Sequence, residues 1–330
     1  MNNQLVTIEH ATKLINEKKY LFISADEVVL KKLPQGNWIG GSIPYFVAEN
    51  GGEFSQDKVF VTVIPDFVLK VEVKEYTAAT VKNIYSEMNG NMVGLIIIPA
   101  LTKTHVAFAT EVPMSDNYSR NPLIGWVSGL NLNDLGKYSA KIINGYKGQF
   151  IEDGALVMQL TLPKNKVANV DIINIFKQGD GDTVEFPQDG FSASEAIVNG
   201  KKVNFVDYVK SNKLDVKLPL VADYCGANIN VAFQTIGDKD ISFYAPVFKN
   251  VVYKQALPIK DYVSEFTSHI AKADPGKNVS FSCNCVLNFM YLDLEKKKTG
   301  VFLGPATFGE IAYQLLTQTL VYLTFDDVGA

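Results

Sequence analysis

Residues 92–101 read Met-Val-Gly-Leu-Ile-Ile-Ile-Pro-Ala-Leu, the longest apolar stretch in the chain. At about ten residues it has half the length a membrane-spanning helix needs. Residues 92–98, closed off by Pro99, instead read as a strand buried on both faces, which occurs where a sheet is covered on both sides. The rest of the chain must supply those covers. Its 330 residues, 47% apolar and 20% charged, are enough for two lobes with a large buried core.

Short strands alternate with helical segments over much of the length. Ile8, Ala11, Leu14 and Ile15 form a helical stripe within residues 7–19. Ser24-Ala25-Asp26-Glu27 has the pattern of a capping box, in which a Ser oxygen and a Glu carboxylate satisfy free amides at a helix start. Residues 36–45 read as turn, strand and a glycine loop at Gly40-Gly41-Ser42. Residues 59–64 and 67–73 alternate as strands, and 80–88 read as a helix. Beyond Trp126 the pattern turns β-rich, with strands over 155–162, 170–176, 229–234 and 241–244. Asn199-Gly200 is a hairpin turn signal. A short amphipathic helix follows over 205–210, and another starts at Pro258, where a missing amide costs nothing. The expected fold is α/β (α+β): two lobes of mixed β-sheet with helices on their faces, residues 1–150 and 151–330, divided near 145–153. Residues 121–129 and 218–226 share Pro-Leu-aliphatic, four residues, then Gly, so a duplicated unit is one arrangement to look for.

A net charge of −4 with scattered Lys and Arg excludes a nucleic-acid reader, which needs a concentrated basic face. The polar first sixteen residues carry no apolar export segment. Three cysteines make no disulfide framework, and reduced thiols fit a cytoplasmic protein.

The chemistry concentrates between Phe281 and Glu310. Val279 and Phe281 are strand-like, while Val286, Phe289 and Met290 follow helical spacing, so a strand-to-helix junction is expected at Ser282-Cys283-Asn284. Free amides at such a junction suit an anion and lower the pKa of a nearby thiol. Simple capping by Ser282 or Asn284 explains the same residue types. Cys283 and Cys285 lack the further Cys or His that zinc requires, since His10, His105 and His269 are far apart in sequence, so no metal is expected. As a nucleophile, Cys283 would draw on His105 with Asp223 or Glu310. The run from Gly300 to Tyr313 contains Gly309-Glu310, expected to bring a carboxylate close to a ligand just ahead of a short helix.

Phe281-Ser282-Cys283, then Gly309-Glu310-Ile311, then Gln318-Thr319-Leu320-Val321 follow the order of elements in the C-terminal half of FIST domains, bacterial sensory modules expected to bind small ligands such as amino acids. Ile39-Gly40-Gly41-Ser42 and Pro219-Leu220-Val221 resemble further FIST segments. The chain resembles a divergent, stand-alone relative, with Asn284 and Asn288 where a basic residue is usual. The resemblance implies a small-molecule binding or sensory protein, signalling through a separate partner protein, with no cofactor and no membrane or nucleic-acid partner. Its implied ligand site, in a crevice between lobes, comprises Gly40, Gly41, Ser42, Asp223, Cys225, Gly226, Ser282, Cys283, Asn284, Gly309 and Glu310. A Cys283-dependent enzyme and a protein-interaction scaffold are the alternatives.

Overall fold

A computed structural model describes residues 3–224, 227–273, 279–291 and 294–328. It has the expected α/β class, with mixed sheets and helices. The chain forms two compact units, Met1–Ile173 with Ile270–Leu315 and Thr319–Ala330, and Asn174–His269 with Leu316–Gln318. The expected division at residue 150 falls inside the strand Gln149–Ile151 of the first unit. The first unit is also discontinuous, because the chain returns to it after residue 269.

In the first unit, one sheet has the order Asn3–Thr7, Lys58–Val63, Leu21–Ala25, Trp38–Ser42, Ile142–Asn144, Gln149–Ile151. Leu21–Ala25 and Trp38–Ser42 pair in parallel, joined through the short helix Glu27–Leu30. That helix and Ile8–Asn16 cover one face, burying Ala11, Ile15, Val29 and Leu30 against Leu21, Ile23, Val59 and Val61. The apolar run becomes the strand Met92–Pro99, buried at every position as expected. It lies between Ala155–Thr161, antiparallel, and Leu123–Ser128, parallel. The helix Lys103–Glu111 provides the parallel crossover. Glu310–Ala312 extends this second sheet beside Leu123–Ser128. A third sheet has the order Lys166–Ile173, Leu320–Asp327, Val279–Cys285, Gly304–Thr307, Tyr45–Ala48, Gly51–Phe54.

Every strand pair described in the second unit is antiparallel. Its hairpin turns at Asn199-Gly200, both with positive φ (48° and 77°), as a two-residue loop matched to strand twist requires. The helix Phe205–Ser211 packs Phe205, Val206 and Val209 into a core with Phe186, Phe243 and Tyr253.

Several local expectations are corrected. Ser24 does not cap a helix: it lies buried in Leu21–Ala25, and Asp26 accepts the Val28 amide instead, at 2.9 Å. Strand pairing outcompetes the capping box because it keeps residue 24 extended. Residues 80–88 form only a 3-10 turn, Val81–Asn83, followed by turns in which Ser86 Oγ donates to the Asn83 carbonyl. The later helix spans Tyr262–Ala273, starting where Asp261 accepts the Ser264 amide rather than at Pro258. The two Pro-Leu segments become a parallel central strand, Leu123–Ser128, and a strand paired antiparallel, Leu220–Tyr224. The shared glycine of the second segment, Gly226, lies outside the described residues.

Candidate functional site

The C-terminal segment places its chemistry inside the first unit. Ser282, Cys283 and Asn284 do not sit at a junction: the strand Val279–Cys285 runs through them, and the helix begins only at Val286. Both strand neighbours keep this segment extended, with Cys283 opposite Val321 and Asn284 opposite Leu320 and Ala306. Its amides therefore serve the sheet rather than an anion. Glu310 likewise opens a strand, not a helix, with Trp126 as its register partner.

Each of these residues is held by internal hydrogen bonds to its own partner. Glu310 Oε2 accepts from the Thr319 hydroxyl at 2.8 Å and the Thr319 amide at 3.1 Å. Asn284 Oδ1 accepts from the Cys285 amide and from Asn288 Nδ2, each at 2.9 Å. Cys283 Sγ donates to the Gly125 carbonyl at 3.2 Å, and Ser282 Oγ to the Leu303 carbonyl at 2.9 Å. Exposure is 1% for Ser282 and Cys283, 3% for Asn284 and 0% for Glu310. Burial pushes the Glu310 pKa up to about 8, against the Thr319 and Cys285 hydrogen bonds that pull it down, so the carboxyl is largely protonated at neutral pH. Burial, reinforced by the negative potential of Glu310 and Cys285, holds the Cys283 thiol well above its ordinary pKa.

This environment corrects the nucleophile reading. A reactive cysteine needs an electropositive, partly exposed setting. Here the supposed partner Glu310 opposes the thiolate. His105 is kept neutral by burial, its pKa lowered to about 4, and its Nδ1 accepts the Leu101 amide. Asp223 lies exposed in the other unit. Cys225 and Gly226 lie outside the described residues. Among the described residues, no group of three or more His, Cys, Asp or Glu is arranged to hold a metal ion.

The two glycines expected in a loop lie within the strand Trp38–Ser42. Their small size serves packing. A Cβ at Gly40 would stand 2.9 Å from the Ile23 carbonyl oxygen, and one at Gly41 would stand 2.8 Å from both Ile97 Cγ2 and Trp126 Cη2. Gly41 and Glu310 thus share Trp126 as a neighbour.

Ser42, by contrast, opens onto a cleft of about 630 Å³. Its walls carry the carboxylates Asp26, Glu27 and Asp134, the ammonium groups Lys31, Lys137 and Lys141, and the polar groups Gln56, Asn131 and Tyr138. The charges are interleaved. Lys141 reaches Glu27 at 3.0 Å and Glu152 at 3.2 Å, and Lys31 also contacts Glu27, at 2.6 Å. Burial would raise the Glu27 pKa, but hydrogen bonds from Lys31 and Lys141 overcome it and hold the carboxyl below its ordinary value. Those contacts in turn raise the Lys141 pKa, the hydrogen bond to Glu27 most of all. Val28 and Tyr138, 57% and 71% exposed, leave the rim open to solvent.

Of the expected site residues, the structure gathers Ser282, Cys283, Asn284, Gly309 and Glu310 into one sealed cluster and Ser42 into the cleft. The cleft groups Asp26, Glu27, Lys31, Asp134, Lys137, Tyr138 and Lys141 were not anticipated from sequence. Only the concentration of Asn, Asp and Gly over 129–136 marks that stretch as a surface loop.

No helix is long and apolar enough to cross a membrane among the described residues. The chain matches a family of unknown function, DUF6976, over residues 6–326, and it belongs to that family. No curated protein matches it.

Proposed function

We propose that the protein binds a small metabolite carrying both a carboxylate and an ammonium group, an amino acid or a close relative, in the cleft beside Ser42. The observation that carries this reading is the cleft itself: a concave space of about 630 Å³ lined by three carboxylates and three lysines. Its volume lies within the ordinary range for small-molecule sites. Such a lining offers a partner to each end of a zwitterion and favours neither a polyanion nor an apolar guest. The resemblance to FIST sensory domains supports the same ligand class and a sensory role, with the signal passed to a separate partner protein. In this reading the Cys283–Glu310 cluster is scaffold: it holds the sheet that ends near the cleft and takes no part in chemistry.

The test is thermal unfolding in the presence of each proteinogenic amino acid and related small acids and amines. A compound present at a hundred times its dissociation constant stabilises the fold by about 2.7 kcal/mol. The expected result is a raised Tm for a narrow set of zwitterions, with the shift cut by about half or more in Lys141→Ala. No shift with any compound contradicts the reading.

A further inference from the structure

The segment 130–140 supplies Asn131, Asp134, Lys137 and Tyr138 to the cleft, and a single residue fastens both of its ends. The Ser42 amide donates to the Lys141 carbonyl at 2.8 Å, and the Lys141 amide donates back to Ser42 Oγ at 2.9 Å. At the other end the Gly129 amide donates to the Ser42 carbonyl at 2.8 Å, and Ser42 Oγ donates to the Gly129 carbonyl at 2.7 Å. One hydroxyl thus accepts from one end and donates to the other, and it sits 4% exposed at the end of a rigid strand. With donor and acceptor both committed, this hydroxyl has no hydrogen left to donate to a ligand.

Between the clasped ends the segment is held lightly. The Leu132 amide donates to Tyr45 Oη at 3.2 Å. Its other bonds stay within the segment: the turns Asp134 to Asn131, Leu135 to Leu132, and Lys137 and Tyr138 to Asp134, the Asn133 amide to Asn131 Oδ1, Lys137 Nζ to the Asn133 carbonyl and to Asp134, and a bridge between Leu135 and Tyr138. Asn133 and residues 135–139 are exposed, and Gly136 takes a positive φ of 81° with open space around it. Closely held ends, a compact span of about eleven residues and a polar surface are the attributes of an Ω-loop, a class often given to ligand contact.

We infer that residues 130–140 are a closing loop over the cleft, that Ser42 is its clasp rather than a ligand-contacting residue, and that Asp134, Lys137 and Tyr138 select the ligand. The inference rests on the cleft being the binding site. The loop moves as a unit about the Gly129 and Lys141 ends, bringing the Tyr138 ring and the Asp134–Lys137 pair onto a bound zwitterion. Such gating is common where a site must exclude water once filled. Ser42 acts through the loop, so its removal changes how often the loop opens, not the chemistry the cleft offers.

Two measurements separate the clasp from the ligand. The first uses the protein with no compound added. Native-state hydrogen exchange is expected to show slow amides at Gly129 and Lys141 flanking fast ones over 133–139. Trypsin is expected to cut after Lys137, and Ser42→Ala to raise that rate about tenfold, the loss of a buried hydrogen bond at each end, with the global unfolding transition retained. Ser42→Thr, which keeps the hydroxyl, restores slow cutting. Equal cutting in wild type and Ser42→Ala, or uniform protection across 129–141, overturns the clasp whatever binds. The second adds the amino acids of the panel singly. A binder that slows cutting at Lys137, with affinity weakened about tenfold in Tyr138→Ala, supports the closing loop. Binding that leaves the cutting rate and the Tyr138→Ala affinity unchanged overturns the loop's role, and a panel with no binder overturns the site reading while the clasp result stands.

Discussion

Two regions of the first unit gather polar residues, and they differ in what those residues face. Around Cys283 and Glu310 the polar groups are enclosed: Thr319 donates to Glu310 Oε2, Asn288 donates to Asn284 Oδ1, and Gly125 takes the thiol hydrogen, while Glu310 Oε1 and Asn284 Nδ2 lie buried with no hydrogen-bond partner among the described residues. Around Ser42 they face a space, with Lys141 and Glu27 paired across its wall while Tyr138 and Val28 stay open to solvent. Carboxylates, hydroxyls and amides occur in both regions, so their presence alone does not distinguish them. Burial does. A buried carboxyl stays protonated and structural, whereas one kept charged beside lysines at a solvent-open rim is available for exchange with a ligand.

The comparison is broken most violently at Gly304. A Cβ there would overlap the Ser282 carbonyl oxygen, a backbone atom that cannot step aside. Gly304→Ala is expected to destabilise the protein by about 4 kcal/mol or more, read from the urea unfolding midpoint. A loss under about 1 kcal/mol would mean the cluster is looser than its geometry.

A second effect lies in the pH dependence of stability. The folded-state pKa of Glu310 is about 8 against an ordinary 4.5, so between those values the folded chain keeps a proton that the unfolded chain has released. Raising the pH through this window therefore favours unfolding. The contribution is complete below about pH 4.5 and disappears as pH rises through about 8, at up to about 1.4 kcal/mol per pH unit. Glu310→Gln, which cannot titrate, is expected to flatten that slope in unfolding titrations run from acid to mildly alkaline pH. An unchanged slope places the carboxyl in a wetter site.

Thiol labelling sharpens the same contrast. Cys283 and Cys285 are expected to react with iodoacetamide at neutral pH at least about a hundredfold more slowly in native protein than in denaturant, followed by peptide mapping. Fast native labelling of Cys283 would return it to the list of reactive groups. The smallest change is expected at the cleft. Lys141→Ala loses two partly exposed ion pairs and is expected to cost about 1 kcal/mol or less in the same urea assay, while cutting the zwitterion-induced Tm shift by about half or more.

The elements that sequence foretells are those with a strong local signature. The apolar run became the buried strand Met92–Pro99, the stripe at Ile8, Ala11 and Ile15 became a helix capped by Thr7, and Asn199-Gly200 turned its hairpin. What failed were readings in which one residue type serves two purposes. Glycine at 40 and 41 signals a loop by its freedom, yet Gly40 lies too close to the Ile23 carbonyl of the paired strand, and Gly41 too close to Ile97 and Trp126 of the second sheet, for a side chain. Serine at 24 and 282 signals a cap, yet pairing on both sides keeps those segments extended. Glu310 reads as a ligand group until its depth is known, and depth comes from strands separated in sequence by almost two hundred residues, such as Leu123–Ser128. The cleft was hidden for the same reason. Asp26, Lys31, Asp134 and Lys141 are ordinary surface charges in sequence, and only the return of residues 129–141 to Ser42 makes them neighbours.

Calorimetric titration of one panel binder into wild type, Lys141→Ala and Glu310→Gln most directly tests where the ligand sits. The account predicts that Lys141→Ala weakens binding about tenfold or more while Glu310→Gln leaves the dissociation constant unchanged. Loss of binding in Glu310→Gln with Lys141→Ala unaffected would contradict it and return the site to the buried cluster.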